Sequence, residues 1–341
     1  MSLEKSTEDK AMKKKQKNRR GIQRPLLGLF GLVVVALLIF WGRNFVYKNT
    51  VSEYDFAQKF RDFYVSDSAY VQPFASDLAV IKDTPIDGRF APKSAVLSPQ
   101  DGGDVIFAKD ARAHMNPAST TKIMTAILAL KYGNLSDSVT VGNEVVITEP
   151  GASLAKIKPG DTLTMEQLVY GLMLPSGNDA ANAIAIHMAG SIDAFVEMMN
   201  KEAKEIGAVD THFVNANGLT NPDHYTSAYD LYLMFHEGLK IPKFKKITGT
   251  KTYVANYKQA NGSSKSVTWT NGNQFISNES PQPNGITVFA GKTGTTLDAG
   301  NCLVAAAKSD NGKEYVAVVL NAKTKPILYD NMARLFEKAI Q

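Results

Sequence analysis

Cysteine is almost missing from this chain. Cys302 is the only one in 341 residues, so no internal disulfide can brace the fold and packing alone must hold it. Histidine is nearly as scarce: His187 reads as a packing or surface residue on a helix, and His114, His212, His224 and His236 show no ligand spacing. No metal and no cofactor is therefore expected. Internal repeats and low-complexity tracts are absent, which excludes solenoid and fibrous architectures. A basic folded surface is missing as well. The formal charge is +5, but residues 1–24 hold nine Lys and Arg against Glu4, Glu8 and Asp9, which is 9 − 3 = +6 and leaves about −1 for the other 317 residues. The basic excess is confined to a tail, so nucleic-acid binding is excluded.

Charge is also absent from one stretch, PLLGLFGLVVVALLIFW, residues 25–41. As a helix it would span roughly 26 Å, short but sufficient for a bilayer core. A buried core helix would show a polar face, and this one has none. The residues at its end, Ile39 to Arg43, lack the small-residue pattern of a signal-peptidase site, which favours an uncleaved anchor over a cleaved signal peptide. The basic tail puts the N-terminus in the cytoplasm and the rest outside. The expected organisation is a basic cytoplasmic tail (1–24), a transmembrane signal anchor (25–42), an extracellular spacer with scattered aromatics (43–75) and a catalytic domain (76–341), so the protein is placed at the cell membrane as a single-pass chain.

What is present is enough apolar material for a full core, 44% of the residues. Residues 94–110, SAVLSPQDGGDVIFAKD, read as a hairpin around Pro99, Gly102 and Gly103. From Met165, two helical patterns are interrupted by Pro175-Ser176-Gly177, which sets Ser176 and Asn178 on a connecting turn. Late in the chain ITVFAGKTGTT, NCLVAAAKS and KEYVAVVLN read as three strands, the last two joined by the turn signal Asp310-Asn311-Gly312. A final helix carries Leu328, Met332, Leu335 and Phe336 at helical spacing. Hairpin, helical block, three strands and a helix make an antiparallel sheet with helices packed on it, an α+β fold. Cys302, inside a strand, reads as a small buried hydrophobe, and Glu149 as a solvated loop residue.

One lysine is out of place. In NPASTTKIMTAILALKYG, residues 116–133, Ile123, Ala126, Ile127 and Leu130 mark a helix with one buried face, and Gly133 sits where it should end. Ser119 and Lys122 are then neighbours near its start, where the helix dipole disfavours a cation. The misfit is useful for chemistry. Serine is a poor nucleophile and needs an adjacent base. A lysine kept from water and repelled by a second cation can lose its proton, a cost of about 4 kcal/mol for bringing ~10.4 near neutrality. Two further groups occur at wide separation: Ser176-Gly177-Asn178 and Lys292-Thr293-Gly294. Alone, each is a helix surface, a cap or a turn; together, S-x-x-K, S-x-N and K-T-G form a signature of serine acyl-transfer enzymes.

From about residue 75 onward the chain resembles the low-molecular-mass penicillin-binding proteins, the serine-type D-alanyl-D-alanine carboxypeptidases, in PASTTKIMTA, LMLPSGNDAANAIA, FVNANGLTNPDHYTSAYDL and GKTGTTLDAGNCLVAAA. The resemblance implies a serine β-lactamase/DD-peptidase-like fold, with a central antiparallel sheet of about five strands flanked by helices behind an N-terminal transmembrane helix. It implies that Ser119 attacks the carbonyl between two D-alanines of a peptidoglycan stem peptide, that water then hydrolyses the acyl-enzyme, and that β-lactam antibiotics acylate the same serine. Lys122 corresponds to the base, and Ser176 and Asn178 to the proton-relay and substrate-amide contacts. Lys292, Thr293 and Gly294 correspond to the substrate-binding strand, and Thr295 to the second N–H of the oxyanion hole. Two departures are expected. The family's small β-rich domain and C-terminal amphipathic helix find no room in the 47 residues after Gly294. The arginine that holds the substrate carboxylate has no counterpart; Lys323 and Lys325 stand in its region, and lysine offers a point charge rather than a fork.

Three rival functions share this pattern. A β-lactamase needs a deacylating glutamate in an E-x-x-L-N-like loop after S-x-N, and none is found. A DD-transpeptidase has the same motifs. A non-catalytic cell-wall scaffold is disfavoured by the intact Ser119 and Lys122.

Overall fold

The computed structural model describes residues 83–84, 92–102 and 104–341. The tail, apolar run and spacer assigned to residues 1–75 lie outside the described residues. Among those described, no helix is long and apolar enough to cross a membrane.

Five strands form the central sheet, matching the hairpin and the three late strands expected from sequence: β1 (Ser94–Pro99), β2 (Phe107–Lys109), β7 (Ile286–Thr296), β8 (Gly300–Ser309) and β9 (Glu314–Ala322). Their order is β2-β1-β9-β8-β7, with every pairing antiparallel. β8 and β9 read as nearly unbroken apolar runs because both faces of the sheet centre are covered. On one face Leu97, Leu303, Ala305, Ala317 and Val319 pack with Leu328, Met332, Leu335 and Phe336 of the last helix.

The helices, in chain order, are α1 (Lys122–Tyr132), α2 (Met165–Met173), α3 (Asn178–Ala189), α4 (Ile192–Ile206), α5 (Ala228–Leu239), α6 (Pro242–Thr248), the single turn α7 (Gln274–Ser277) and α8 (Lys325–Lys338). Helix α5 lies against β1 and β9, and α1 packs among α2, α3, α4 and α5. Start signals are chemical. Thr164 and Gln167 form a reciprocal capping box at α2, and Ser191, Ser227 and Thr324 accept from the third residue of α4, α5 and α8.

One part of the sheet inventory was not expected from sequence. A second, four-stranded antiparallel sheet runs β3-β4-β5-β6, with β3 (Ser138–Thr140), β4 (Thr162–Thr164), β5 (Thr252–Lys258) and β6 (Ser264–Thr270). β3 and β4 are three residues each, too short to carry a period. β5 and β6 do alternate, with Ala255, Tyr257 and Trp269 buried between exposed neighbours, but the apolar Val254 faces outward and Lys265 takes an inward position, which blurs the pattern. Tyr253 of β5 stacks on Tyr170 of α2 at 3.8 Å between ring centroids, joining this sheet to the helical block.

Candidate active site

The turn that carries Ser119 is built from backbone strain and local hydrogen bonds. Residues Ala118–Thr121 form a 3₁₀ turn, and the α-helix begins only at Lys122. The expected single helix is thus two segments, yet the spacing argument survives, since residues three apart eclipse in a 3₁₀ turn. Ala118 is left-handed at φ 47°. It is held there by its N–H donating to Asn116 Oδ1 at 3.0 Å, and the Thr120 hydroxyl donates to the Pro117 carbonyl at 2.7 Å.

Lys122 is completely buried. Its Nζ lies 2.9 Å from Ser119 Oγ and 2.7 Å from Asn178 Oδ1, and it also meets the Asn217 carbonyl. A free-base lysine has two N–H groups and one lone pair. The carbonyl oxygens of Asn178 and Asn217 can only accept, so they take the two hydrogens and leave the lone pair facing the Ser119 hydroxyl. Burial, then the charge of Lys292, holds Lys122 well below the usual lysine range, while Asp179 pulls it back upward.

The opposite wall comes from β7 and the turn before α3. Ser176 sits on that turn at φ 62°, whereas Asn178 is already the first residue of α3 rather than part of the turn. Lys292, 1% exposed, donates to Ser176 Oγ at 2.9 Å and to the Thr293 carbonyl at 2.7 Å. Burial lowers its pKa to about 7. Thr293, Gly294 and Thr295 run along β7, the edge strand of the central sheet. A Cβ on Gly294 would sit 3.0 Å from the Pro117 carbonyl and from the Ser119 and Thr120 amides, so a side chain here would crowd the Ser119 turn, which glycine leaves room for. Between the walls is a cleft of about 360 Å³, lined by Ser119, Ser176, Thr293, Gly294 and Thr295, with Ser153, Lys325, Leu328 and Tyr329 around it. All eight sequence-predicted residues meet here: five line the cleft, while Lys122, Asn178 and Lys292 are buried around it.

Several groups at the site carry no sequence motif that singles them out. Asn217 contributes a backbone carbonyl, which no side-chain pattern reports. Asp179, 1% exposed, accepts from the amides of Ala155, Ile157 and Ala180 at 2.8, 3.0 and 2.9 Å. It fixes the loop that brings Ser153 to the cleft, and burial raises its pKa against those hydrogen bonds. Of the two lysines expected near the substrate carboxylate, Lys325, the first residue of α8, lines the cleft. Cys302 is buried on β8, where burial lifts its thiol to about 11, and His187 is a partly exposed partner of Asp137 at 3.1 Å. Among the described residues no group of three or more His, Cys, Asp or Glu is placed to hold a metal.

A family model described as D-alanyl-D-alanine carboxypeptidase matches residues 81–324. The D-alanyl-D-alanine carboxypeptidase DacF of Bacillus subtilis is 39% identical over 235 residues, 68% of this chain and 58% of that one. The chain therefore spans somewhat more than half the length of that relative. The D-alanyl-D-alanine carboxypeptidase of Streptomyces sp. strain K15 is 35% identical over 237 residues, 66% of this chain and 78% of that one. Among solved structures, the Streptomyces K15 DD-transpeptidase matches with a TM-score of 0.69 at 30% identity, covering 76% of this chain and 99% of that one. The Francisella tularensis D-alanyl-D-alanine carboxypeptidase DacD matches with a TM-score of 0.66 at 26% identity, over 77% and 73%. The α+β architecture, antiparallel sheets flanked by helices, is the DD-peptidase fold.

Proposed function

The chain belongs to the D-alanyl-D-alanine carboxypeptidase family, and from that membership we propose that it is a serine DD-carboxypeptidase removing the terminal D-alanine from peptidoglycan stem pentapeptides. The observation that carries the reading is the Ser119–Lys122 pair at 2.9 Å, with the lysine buried and its remaining hydrogens taken by carbonyls.

The mechanism is built from those groups. Ser119 Oγ attacks the carbonyl between the two D-alanines as its proton passes to Lys122 Nζ. Charge on the carbonyl oxygen is met by the N–H groups of Ser119 and Thr295. The peptide lies along the free edge of β7, which offers an unpaired strand to an extended ligand. The C–N bond breaks, D-alanine leaves with a proton relayed through Ser176, and water releases the acyl group. Lys292 supplies positive charge beside Ser176, while Thr293 and Lys325 face the substrate carboxylate. β-Lactams acylate Ser119 in the same way. A second reading, transfer to an amine instead of water, is favoured by one observation: the Streptomyces K15 neighbour is a DD-transpeptidase.

The protein is held at the cell membrane by residues 25–42, with the catalytic domain outside. Support for this comes from the uncharged run and the +6 tail before it. The test of the activity is a fluorescent β-lactam together with a synthetic pentapeptide, with and without an amine acceptor. Labelling and release of D-alanine are expected for the wild type and loss of both for Ser119→Ala. Equal labelling of the two proteins would overturn the assignment, and dominant cross-linked product would make the enzyme a transpeptidase.

A further inference from the structure

Behind the nucleophile turn lies a buried histidine that the acyl-transfer steps do not use. His224 is 1% exposed, and its ring packs against Phe213. The Val214 N–H donates to Nδ1 at 3.0 Å, so Nδ1 carries no hydrogen. Nε2 lies 2.8 Å from Thr121 Oγ1. The Thr121 hydroxyl has one hydrogen, which it gives to the Ala118 carbonyl at 2.8 Å, so it must accept from His224 Nε2–H. The arrangement is therefore directional: Val214 N–H to His224, His224 N–H to Thr121, Thr121 O–H to Ala118. It ends on the residue before Ser119, the one at φ 47°. A left-handed alanine persists only where its surroundings over-determine it. Gly218 presses on the same carbonyl from the other side, and a Cβ there would lie 1.9 Å from the Ala118 oxygen. The loop that holds Gly218 and His224 also supplies the Asn217 carbonyl to Lys122.

We propose that His224 is a positioning residue for the reaction: as the neutral Nε2–H tautomer it orients the Thr121 hydroxyl, which clamps the strained Ala118–Ser119 turn in its attacking geometry. A charged imidazole could not serve, because a hydrogen on Nδ1 would face the Val214 N–H. Burial above all keeps the ring neutral, lowering its pKa to about 4. The assignment rests on the acyl-transfer reading of Ser119. It differs from a packing role in which part of the ring matters. Glutamine can place an N–H near Nε2 and reach Thr121, whereas asparagine can only replace the Nδ1 acceptor and satisfy Val214.

The experiment measures the acylation rate constant of the full-length protein with a fluorescent β-lactam, for wild type, His224→Gln, His224→Asn, Thr121→Val and the Thr121→Val/His224→Asn double variant, with melting curves for each. His224→Asn and Thr121→Val should each slow acylation by about tenfold or more, since small misplacements of a nucleophile are costly. His224→Gln should keep most of the rate, and the double variant should be no slower than the worse single one. Imidazole ¹⁵N shifts at neutral pH should report an Nε2–H tautomer for the signal that His224→Gln removes. Multiplying losses, an Nδ1–H or charged ring, or wild-type rates in His224→Asn or Thr121→Val would overturn the proposal. Should His224→Asn not fold, the near-isosteric Thr121→Val decides alone. A wild type that takes no label in parallel with Ser119→Ala removes the acyl-transfer reading itself; a wild type that labels no faster than Thr121→Val removes only this assignment.

Discussion

Two lysines share the cleft wall, and their chemistry separates them. Lys122 touches Ser119, and its proton is held off by burial and by Lys292. Lys292 touches Ser176 and is lowered to about 7 by burial. A base must be neutral to accept the serine proton, so acylation should fail as pH drops and Lys122 is protonated. An electrostatic contact must be charged, so acylation should also fail as pH rises past about 7 and Lys292 loses its proton. The second-order labelling rate of the free enzyme is then bell-shaped, and its limbs are macroscopic values of the coupled pair. Lys122→Arg leaves no accessible neutral form and should cost several orders of magnitude. Lys292→Arg keeps the charge at every working pH and should abolish the alkaline limb at a smaller cost in rate. Rates measured from about pH 5 to about pH 10 decide the matter. An alkaline limb that survives in Lys292→Arg would show that another group titrates there.

At the scale of elements, the candidate site residues were more legible than the scaffold that holds them. Ser119, Lys122, Ser176, Asn178 and Lys292 could be singled out because their side chains do chemistry at characteristic spacings. The five-stranded sheet was readable because β8 and β9 are apolar runs joined by a clear turn signal, and β7 opens on Ile286, Val288, Phe289 and Ala290. The second sheet was not, since β3 and β4 are three-residue fragments and the alternation of β5 and β6 is blurred by an outward Val254 and an inward Lys265. Nor was its link to the cleft, which runs through main-chain atoms. Trp269 of β6 donates its indole N–H to the Ala155 carbonyl at 3.0 Å, and Lys265 Nζ donates to the Lys156 carbonyl at 3.0 Å. With the Asp179 carboxylate on the amides of Ala155 and Ile157, these bonds set the loop whose Ser153 lines the cleft. Trp269→Phe keeps most of the buried ring but leaves the Ala155 oxygen without its donor, a cost of about 1–3 kcal/mol. The expected result is a melting temperature lower by several degrees and a raised KM for pentapeptide, with kcat largely retained, because the loop lines the cleft and, among the described residues, no hydrogen bond joins it to Ser119. Unchanged KM in a folded variant would mean that the second sheet does not govern this wall.

At the scale of the whole molecule, the sequence separates a basic tail and an uncharged apolar run from a nearly neutral remainder. The described helices are occupied with protein. The last, α8, has an apolar stripe, but Leu328, Met332, Leu335 and Phe336 are spent on the central sheet, and its outward positions mix Asp330 and Glu337 with Arg334 and Lys338. It is therefore not a free basic face for a lipid surface. The catalytic part carries little net charge, whereas residues 1–24 carry +6 directly before 17 uncharged, mostly apolar residues. Membrane attachment should accordingly reside in residues 1–42. The residues between that run and the catalytic domain bound how far the cleft can stand from the bilayer, at most about 3.3–3.6 Å each. Cell fractionation with N-terminal sequencing should find a membrane-bound chain that begins at residue 1 or 2. Deleting residues 1–42 should release a soluble protein that takes up β-lactam at the wild-type rate, because the groups around Ser119 all come from residues beyond 115. A soluble mature chain that starts after Trp41 would replace the anchor with a cleaved signal peptide, and a deletion variant that fails to fold would assign the segment to the domain itself.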